Sequence, residues 1–207
     1  ANDAFLRNDL DEMELWSIRA LEASRQEPDP EYLAVAQATR ALCAAFAGPL
    51  DEARECADAA AAAYEKFDQS QVDLNVDGLV RLAGAELYLE RFEDVIRHGQ
   101  QAIEASRRTG QSQHFPALYP AVGTAASNLG QFDLARETLD RAIDSARLSN
   151  NGHALAWALF SRAMLSLRKG DLDEADELSA ESMELVAGQE AGVVKVWTGV
   201  IRAATLE

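Results

Sequence analysis

Polar turns separate helix-length apolar runs at a nearly constant interval along this chain. Each turn is a short phrase with Leu or Phe at its third residue, and successive phrases begin 40, 42, 40 and 40 residues apart. Their first residues are Asn8, Gly48, Glu90, Gly130 and Gly170. A fixed period of about 20 to 50 residues is typical of repeat arrays, in which each unit buries its apolar face on its neighbours. No stretch alternates with period two, so the pattern predicts an all-α chain without strands.

The apolar runs before the turns are predicted to be the first helices of helical hairpins. These runs are Tyr32–Ala47, Val72–Leu89, Phe115–Leu129, His153–Lys169 and Val193–Leu206. Each run has a small residue seven positions before the turn, or at the same phase in the last run. The five small residues are Ala41, Ala83, Gly123, Ala163 and Ala203. A larger side chain would hold two helix axes apart, so we expect a partner helix to cross there.

A second helix is predicted after each turn, because small or apolar residues recur there at spacings of four and then three. The sets are Met13/Ser17/Ala20, Ala53/Ala57/Ala60, Val95/Gly99/Ala102, Ala135/Leu139/Ala142 and Ala175/Ser179/Ser182. These offsets fall on one helix face, which we expect to pack against the preceding first helix. The charged remainder of each second helix is predicted to be a solvated outer face.

The repeated turn resembles that of the tetratricopeptide repeat. The resemblance rests on a turn of the type Gly-x-(Leu/Phe)-x-x-Ala, the small residue seven positions before it, and a further alanine seven positions after the motif's own alanine. It covers essentially the whole chain, although the period of about 40 residues exceeds the roughly 34 of the standard repeat. It implies one domain, residues 1–207, forming a right-handed α-α superhelix of about four complete hairpins with a half-repeat at each end. Because both ends are half-repeats, we expect a piece of a longer polypeptide.

Repeats of this length, with outer helices rich in Ala and acidic residues, are similar to the repeat regions of large LuxR-type bacterial regulators such as the maltose-regulon activator. That resemblance implies a sensor region between an NTPase module and a helix-turn-helix. The predicted function is therefore a non-catalytic ligand-sensing or protein-binding region of a larger cytoplasmic transcriptional regulator. The alternative is a stand-alone scaffold or adaptor that binds a peptide or helix of a partner protein.

The charge of the chain disfavours two classes of partner. Its 19 basic and 35 acidic residues give a net charge of −16, which repels phosphate backbones and anionic lipids. We therefore expect no direct contact with nucleic acid or membrane. The longest uncharged stretch, Ala41–Leu50, is too short to span a bilayer, and the first residues carry no export signal. With Cys43 and Cys56 expected to be reduced and buried, these features predict a cytoplasmic location.

The sequence carries no constellation of residues that catalysis requires. Neither Gly-x-x-x-x-Gly-Lys-Ser/Thr nor Gly-x-Gly-x-x-Gly occurs, and the three histidines stand in separate repeats without a second ligand nearby. Acidic pairs such as Glu93/Asp94 begin second helices, where they complement the helix dipole. We expect a protein that is not an enzyme and needs no metal or cofactor, and whose partner is a protein, a peptide or a small-molecule effector.

The resemblance places the candidate binding residues on a concave face built by the first helices. Trp157 and Trp197 occupy the same inward position one repeat apart, and Phe160 and Met164 follow Trp157 by one and two turns. Two indoles in register would form the walls of an apolar groove. The alternative is that both indoles are core side chains wedged between adjacent helices.

Arginine recurs eight residues before the turn, where other repeats have an aliphatic residue. The arginines at this position are Arg40, Arg162 and, by phase, Arg202. One interpretation is that their stems cover apolar surface while the guanidinium reaches water. The other is that Arg162 and Arg202 hold an anionic or carbonyl group of a ligand lying over the tryptophans.

Overall fold

The computed structural model describes residues 10–26, 29–187 and 193–205. Within these ranges the chain forms eleven α-helices and one 3-10 helix (Ser112–His114) and no strand, which confirms the predicted all-α fold. The α-helices are α1 (Leu10–Gln26), α2 (Pro30–Ala47), α3 (Leu50–Tyr64), α4 (Gln69–Leu74), α5 (Val76–Tyr88), α6 (Phe92–Thr109), α7 (Phe115–Asn128), α8 (Phe132–Leu148), α9 (Gly152–Lys169), α10 (Leu172–Val186) and α11 (Val193–Thr205).

The chain packs as two compact units, one within residues 1–114 and the other within residues 115–207. In the first unit, α2 and α3 form one hairpin, and α5 and α6 form a second. Helix α2 also packs against α5, α1 lies on α2, and the short α4 contacts α6. Helix α2 therefore contacts its own hairpin partner and helices of both neighbouring repeats, as the core of a helical repeat requires.

The second unit repeats this arrangement. Helices α7 and α8 form one hairpin, and α9 and α10 form the next. Helix α9 packs against both helices of the preceding hairpin, and α11 lies on α9 and α10. None of the helices within the described ranges combines the length and apolar character that crossing a bilayer requires.

The two helices of a hairpin cross at the small residue that the sequence indicates. A Cβ atom added to Gly123 would lie 2.5 Å from the Cγ atom of Leu139 on the second helix, too close for two carbon atoms. One hairpin further on, Ala163 packs in a buried cluster with Ala175. The predicted crossing is therefore confirmed in both hairpins of the second unit, and Ala41 and Ala83 are equally buried in the first.

Helix α11 differs from the other first helices at this position. Ala203 is exposed, because no second helix among the described residues covers it. Helix α11 therefore presents to solvent a face that the other first helices bury.

The second predicted first helix, Val72–Leu89, is broken at Asn75 into α4 and α5. The Asn75 side-chain amide donates to a carboxylate oxygen of Glu31 at 2.7 Å and to the carbonyl of Gln71 at 2.9 Å. Its backbone carbonyl accepts a hydrogen bond from the Tyr64 hydroxyl at 2.7 Å. These contacts with α2 and α3 stabilise the non-helical backbone at Asn75, so the apolar run forms two helices instead of one.

Two of the three turns that begin with glycine use the left-handed backbone region, whereas Gly48 has an extended backbone with a φ of −123°. Gly130 and Gly170 have φ angles of 73° and 80°, and Glu90 occupies the equivalent position at 58°. A side chain in this region costs about 1–2 kcal/mol. The geometry that closes the hairpin is therefore retained at Glu90 despite its side chain.

Replacing Ala163 by leucine tests the helix crossing. The longer side chain would enter the buried contact with Ala175, so the free energy of unfolding should fall by about 1–3 kcal/mol in urea titrations. Ala117→Leu, on an exposed position of α7, is the matched control and should change it by less than about 0.5 kcal/mol. Equal stabilities for the two variants would show that α9 and α10 do not cross at Ala163.

Candidate functional site

Three of the predicted groove residues form a half-buried apolar stripe on α9. Trp157, Phe160 and Met164 follow at helical spacings of three and four, and each is partly exposed. The ring centroids of Trp157 and Phe160 are 5.9 Å apart, with the planes inclined by 58°. This geometry is favourable for an aromatic pair. We call these three residues the aromatic stripe. Its two rings contact each other, and each of its three side chains is partly exposed to solvent.

The aromatic stripe rests on the core of the second unit. Its Trp157 end packs against Val186 of α10 and Val194 of α11. Its Met164 end packs against a cluster that contains Ile201 of α11. A molecule that bound the stripe would therefore act on side chains that hold α10 and α11 against α9.

The second predicted tryptophan, Trp197, belongs to α11, but its side chain lies outside the described residues. The groove with two indole walls therefore stays a prediction. Trp157 alone is described, and it is neither fully buried nor fully exposed.

Arg162 does not reach water. Its side chain is 8% exposed, and Nε donates to Asp140 at 3.1 Å. The two terminal nitrogens donate to the two carboxylate oxygens of Glu174 at 2.7 and 3.1 Å, and Nη1 also donates to Ser166 Oγ at 2.6 Å. The expectation that this guanidinium is solvated is therefore wrong. The predicted ligand contact of Arg162 would have to compete with three protein side chains.

Arg40 makes the same arrangement in the first unit. It is 2% exposed, its Nε donates to Glu52 at 2.8 Å, and its Nη2 donates to the other oxygen of that carboxylate. In both hairpins an arginine eight residues before the turn forms a bidentate pair with a glutamate four residues after the turn's first residue. We call this pair the Arg–Glu clamp. Charge-assisted bidentate bonds are strong and directional, so the clamp joins the two helices of one hairpin.

Each of these arginines also reaches back to the preceding second helix. Arg40 lies 3.8 Å from Glu14 of α1, as Arg162 reaches α8. Arg202 makes only this backward contact, from Nε to Asp176 of α10 at 3.4 Å, and its side chain is 40% exposed. Within the described part of the second unit it has no glutamate that completes a clamp. Its predicted ligand contact stays a prediction.

The carboxyl groups of the clamps are held in their ionised form. Hydrogen bonds from the Arg40 guanidinium hold the pKa of Glu52 below its ordinary value. Burial raises the pKa of Glu174, but hydrogen bonds from Ser166 and Arg162 outweigh this effect, so the net shift is downward. Because a lowered pKa favours the charged carboxylate, both clamps are ion pairs at neutral pH.

A buried acid–base pair that the sequence did not indicate lies between α5 and α6. His98 Nδ1 is 2.7 Å from Glu86 Oε1, and the side chains are 2% and 1% exposed. Burial raises the pKa of Glu86, and the hydrogen bond from His98 opposes that shift. Glu86 Oε2 and His98 Nε2 have no hydrogen-bond partner within the described chain. Since solvent does not reach either group, the pair is not placed to act on a substrate. The one sequence signal was its spacing of twelve residues across a turn, which the clamps share.

The two cysteines are free and buried, as expected. Burial raises the pKa of both the Cys43 and the Cys56 thiol. A thiol with a raised pKa is a weak nucleophile and a weak metal ligand, so neither cysteine adds reactive chemistry to the first unit.

Comparisons with known proteins identify the fold and no family. No protein-family model matches the sequence, and no curated protein sequence matches it. The structure is similar to the crystal structure of BtubC (BKLC) from P. vanneervenii, with a TM-score of 0.68 at 15% sequence identity. The similarity covers 95% of this chain and 82% of that one. At this identity it establishes a shared helical-repeat fold alone.

Replacing Glu52 by glutamine tests the first clamp through its pH dependence. Because the pKa of Glu52 is lowered in the folded state, the clamp stabilises fully above about pH 4.3 and loses this contribution as pH falls through the lowered value. Glu52→Gln should lower the free energy of unfolding at pH 7 by about 1 kcal/mol, a figure limited by the 38% exposure of its side chain. The variant should also lose less stability than wild type on acidification below about pH 4.3.

The control is Glu55→Gln, which removes the same charge from an exposed position of α3. This variant should have the same free energy of unfolding as wild type at pH 7, and it should lose the same amount of stability on acidification. If Glu52→Gln and Glu55→Gln gave the same pH profile by thermal unfolding, the Arg40–Glu52 pair would contribute no measurable stability.

Proposed function

We propose that this chain is a non-catalytic binding region of a larger cytoplasmic transcriptional regulator, and that its effector or partner binds the aromatic stripe. The stripe is the observation that carries the proposal: two rings and a thioether lie side by side on one helix, each partly exposed. Aromatic residues provide a large contact area, and methionine adapts to ligands of different shape.

The chemistry around the stripe favours an apolar ligand surface. Trp157, Phe160 and Met164 offer ring and thioether surface, whereas the guanidinium of Arg162 is already bound by Glu174 and Asp140. The part of the ligand that touches α9 is therefore apolar: the apolar face of a peptide helix or a hydrophobic small molecule. Any anionic group on the ligand would have to be bound by another residue.

The position of the stripe supports a mechanism for sensing. A ligand on the stripe would contact side chains that pack against Val186 of α10 and Val194 and Ile201 of α11. A ligand that binds one packing of these helices more tightly than another shifts the equilibrium between them. In a regulator, that shift would pass to the modules attached to the repeat region.

The regulator and the scaffold differ in what accompanies the repeats. The resemblance to LuxR-type repeat regions and the charge of −16 favour a sensor whose DNA contact is made by another module. A phosphate-binding loop upstream and a helix-turn-helix downstream in the full-length gene would support the regulator. The absence of both modules from the full-length gene would favour the alternative function, a scaffold that binds a partner protein.

Photo-incorporation of the apolar dye bis-ANS tests the binding surface without a known ligand. The dye should label peptides that contain residues 157–164, and Trp157→Ala should weaken its binding by about tenfold, or about 1.4 kcal/mol. Tyr32→Ala, which removes an aromatic ring 70% exposed on α2, is the matched control and should bind the dye like wild type.

Met164→Gln keeps the result decisive if Trp157→Ala destabilises the second unit. It removes apolar surface from the stripe with little change in side-chain volume, so dye binding should weaken while the melting temperature stays close to wild type. Labelling that maps elsewhere, or that neither variant reduces, would contradict the proposed site.

A further inference from the structure

The aromatic stripe of α9 leads to an exposed arginine. Arg168 follows Met164 by four residues, so it lies one turn further along the helix face that carries the stripe. Arg168 is exposed, whereas the other arginine of α9, Arg162, is buried in its clamp. Helix α9 has a first helix on either side, α7 and α11, so this surface lies inside the array. The stripe therefore ends in a cation.

Neutral groups of α7 hold the Arg168 guanidinium in place. Its Nη2 donates to the amide oxygen of Asn128 at 2.8 Å, and its Nη1 donates to the hydroxyl of Ser127 at 3.3 Å. Asn128 is itself fixed, because its Nδ2 donates to the backbone carbonyl of Thr124 at 2.8 Å. Since a group that is already positioned loses little freedom when a ligand binds, Arg168 is suited to binding.

No carboxylate among the described residues neutralises this guanidinium. Four other arginines of the second unit each pair with a carboxylate at 2.7 to 3.4 Å: Arg141, Arg147, Arg162 and Arg202. Arg168 makes no such pair within the described chain, although 35 residues of the sequence are acidic. A guanidinium has five N–H donors, and the contacts with Asn128 and Ser127 use two of them. Three donors and the positive charge therefore remain for an anionic group.

The first unit has aromatic rings where the second unit has these polar groups. Two residues before the turns of the first unit stand Phe46 and Tyr88, whose ring centroids are 5.3 Å apart with planes inclined by 86°. Asn128 and Arg168 occupy the same position in the second unit. Because an aromatic pair joins two first helices equally well at this position, their packing does not require an arginine there.

We propose that Arg168 binds the acid group of the effector, and that this effector is a straight-chain carboxylic acid whose hydrocarbon chain lies along the aromatic stripe. The inference rests on the proposed function, because the stripe supplies the apolar part of the site. Carboxylate oxygens accept strong, charge-assisted hydrogen bonds from a guanidinium. One row of apolar side chains with one cation at its end matches a molecule with one apolar chain and one terminal acid.

The spacing along α9 sets the length of this molecule. Trp157 and Arg168 are eleven residues apart, which corresponds to about 16 Å along an α-helix. An extended chain of about twelve carbons has that length, given the ordinary lengths of carbon–carbon bonds. Dodecanoate is therefore the probe with the matching length and charge.

Isothermal titration calorimetry of the full chain with two amphiphiles tests the inference. Dodecanoate should bind about tenfold or more tightly than dodecyltrimethylammonium, which has the same chain length and the opposite charge. A net charge of −16 alone would give the opposite order. Arg168→Gln should weaken dodecanoate binding by about tenfold and should not weaken binding of the cation. Trp157→Ala should weaken the binding of both amphiphiles, because both chains use the stripe.

Two further variants separate the role of Arg168 from effects on folding and on net charge. Asn128→Asp keeps Arg168 and gives it a carboxylate partner, so it should weaken dodecanoate binding without loss of thermal stability. Lys169→Gln is the matched control, since it removes the same charge from the adjacent exposed residue, which points about 100° away around the helix. This variant should bind dodecanoate like wild type.

The outcomes distinguish a failure of this inference from a failure of the proposed function. Equal affinities for the two amphiphiles would overturn the role of Arg168. So would unchanged dodecanoate binding in both Arg168→Gln and Asn128→Asp. If Trp157→Ala still weakened dodecanoate binding in that case, the stripe would remain the binding surface. Unchanged binding in Trp157→Ala, together with bis-ANS labelling outside residues 157–164, would contradict the proposed function and this inference with it.

Discussion

The two hairpins of the second unit depend on the close approach of their two helices at one small residue. Gly123 leaves no room for a Cβ atom beneath Leu139, and Ala163 lies fully buried against Ala175. Close backbones increase the dispersion contacts along both helices, so a short hairpin with few large side chains can still form a dense core. The small residue also fixes the rotation of the first helix. Because that face packs on the second helix, the aromatic stripe of α9 contacts Val186 of α10 and residues of α11 and stays partly exposed to solvent.

The Arg–Glu clamps fix the register of the helices, which the apolar packing alone does not determine. A buried arginine that has lost its hydration requires its carboxylate partners in place, so Arg40 and Arg162 fix the register of one helix against the next. The same requirement explains why Arg162 is unsuited to binding a ligand, although it lies two residues from Phe160. In the proposed binding site, the apolar side chains of the stripe would therefore contact the ligand, while Arg162 and its carboxylate partners hold the helices together. In α11, Arg202 contacts Asp176 of α10, and no glutamate within the described part of the second unit completes a clamp with it.

Much of the fold follows from local rules that the sequence displays directly. The turn phrases and the small residue before each turn reflect backbone geometry and helix period, so helix positions and crossings could be predicted from spacing alone. The ion-pair partners of Arg40 and Arg162 could not be predicted from the sequence. Glu52 and Glu174 also fit the ordinary pattern of acidic residues in a first helical turn. The break at Asn75 depends on contacts with Glu31 and Tyr64, which are distant in sequence. The partial exposure of Trp157 depends on how α10 and α11 pack.

A double-mutant cycle at Gly123 and Leu139 measures the close approach most directly. In wild type, Gly123→Ala should destabilise the protein, because the new methyl group would overlap Leu139. In a Leu139→Ala background the same substitution should stabilise it by about 1 kcal/mol, because alanine is the better helix former and the obstacle is gone. This reversal of sign in the free energy of unfolding is the predicted result. Stabilisation by the same amount in both backgrounds would show that α7 and α8 do not depend on close approach at Gly123.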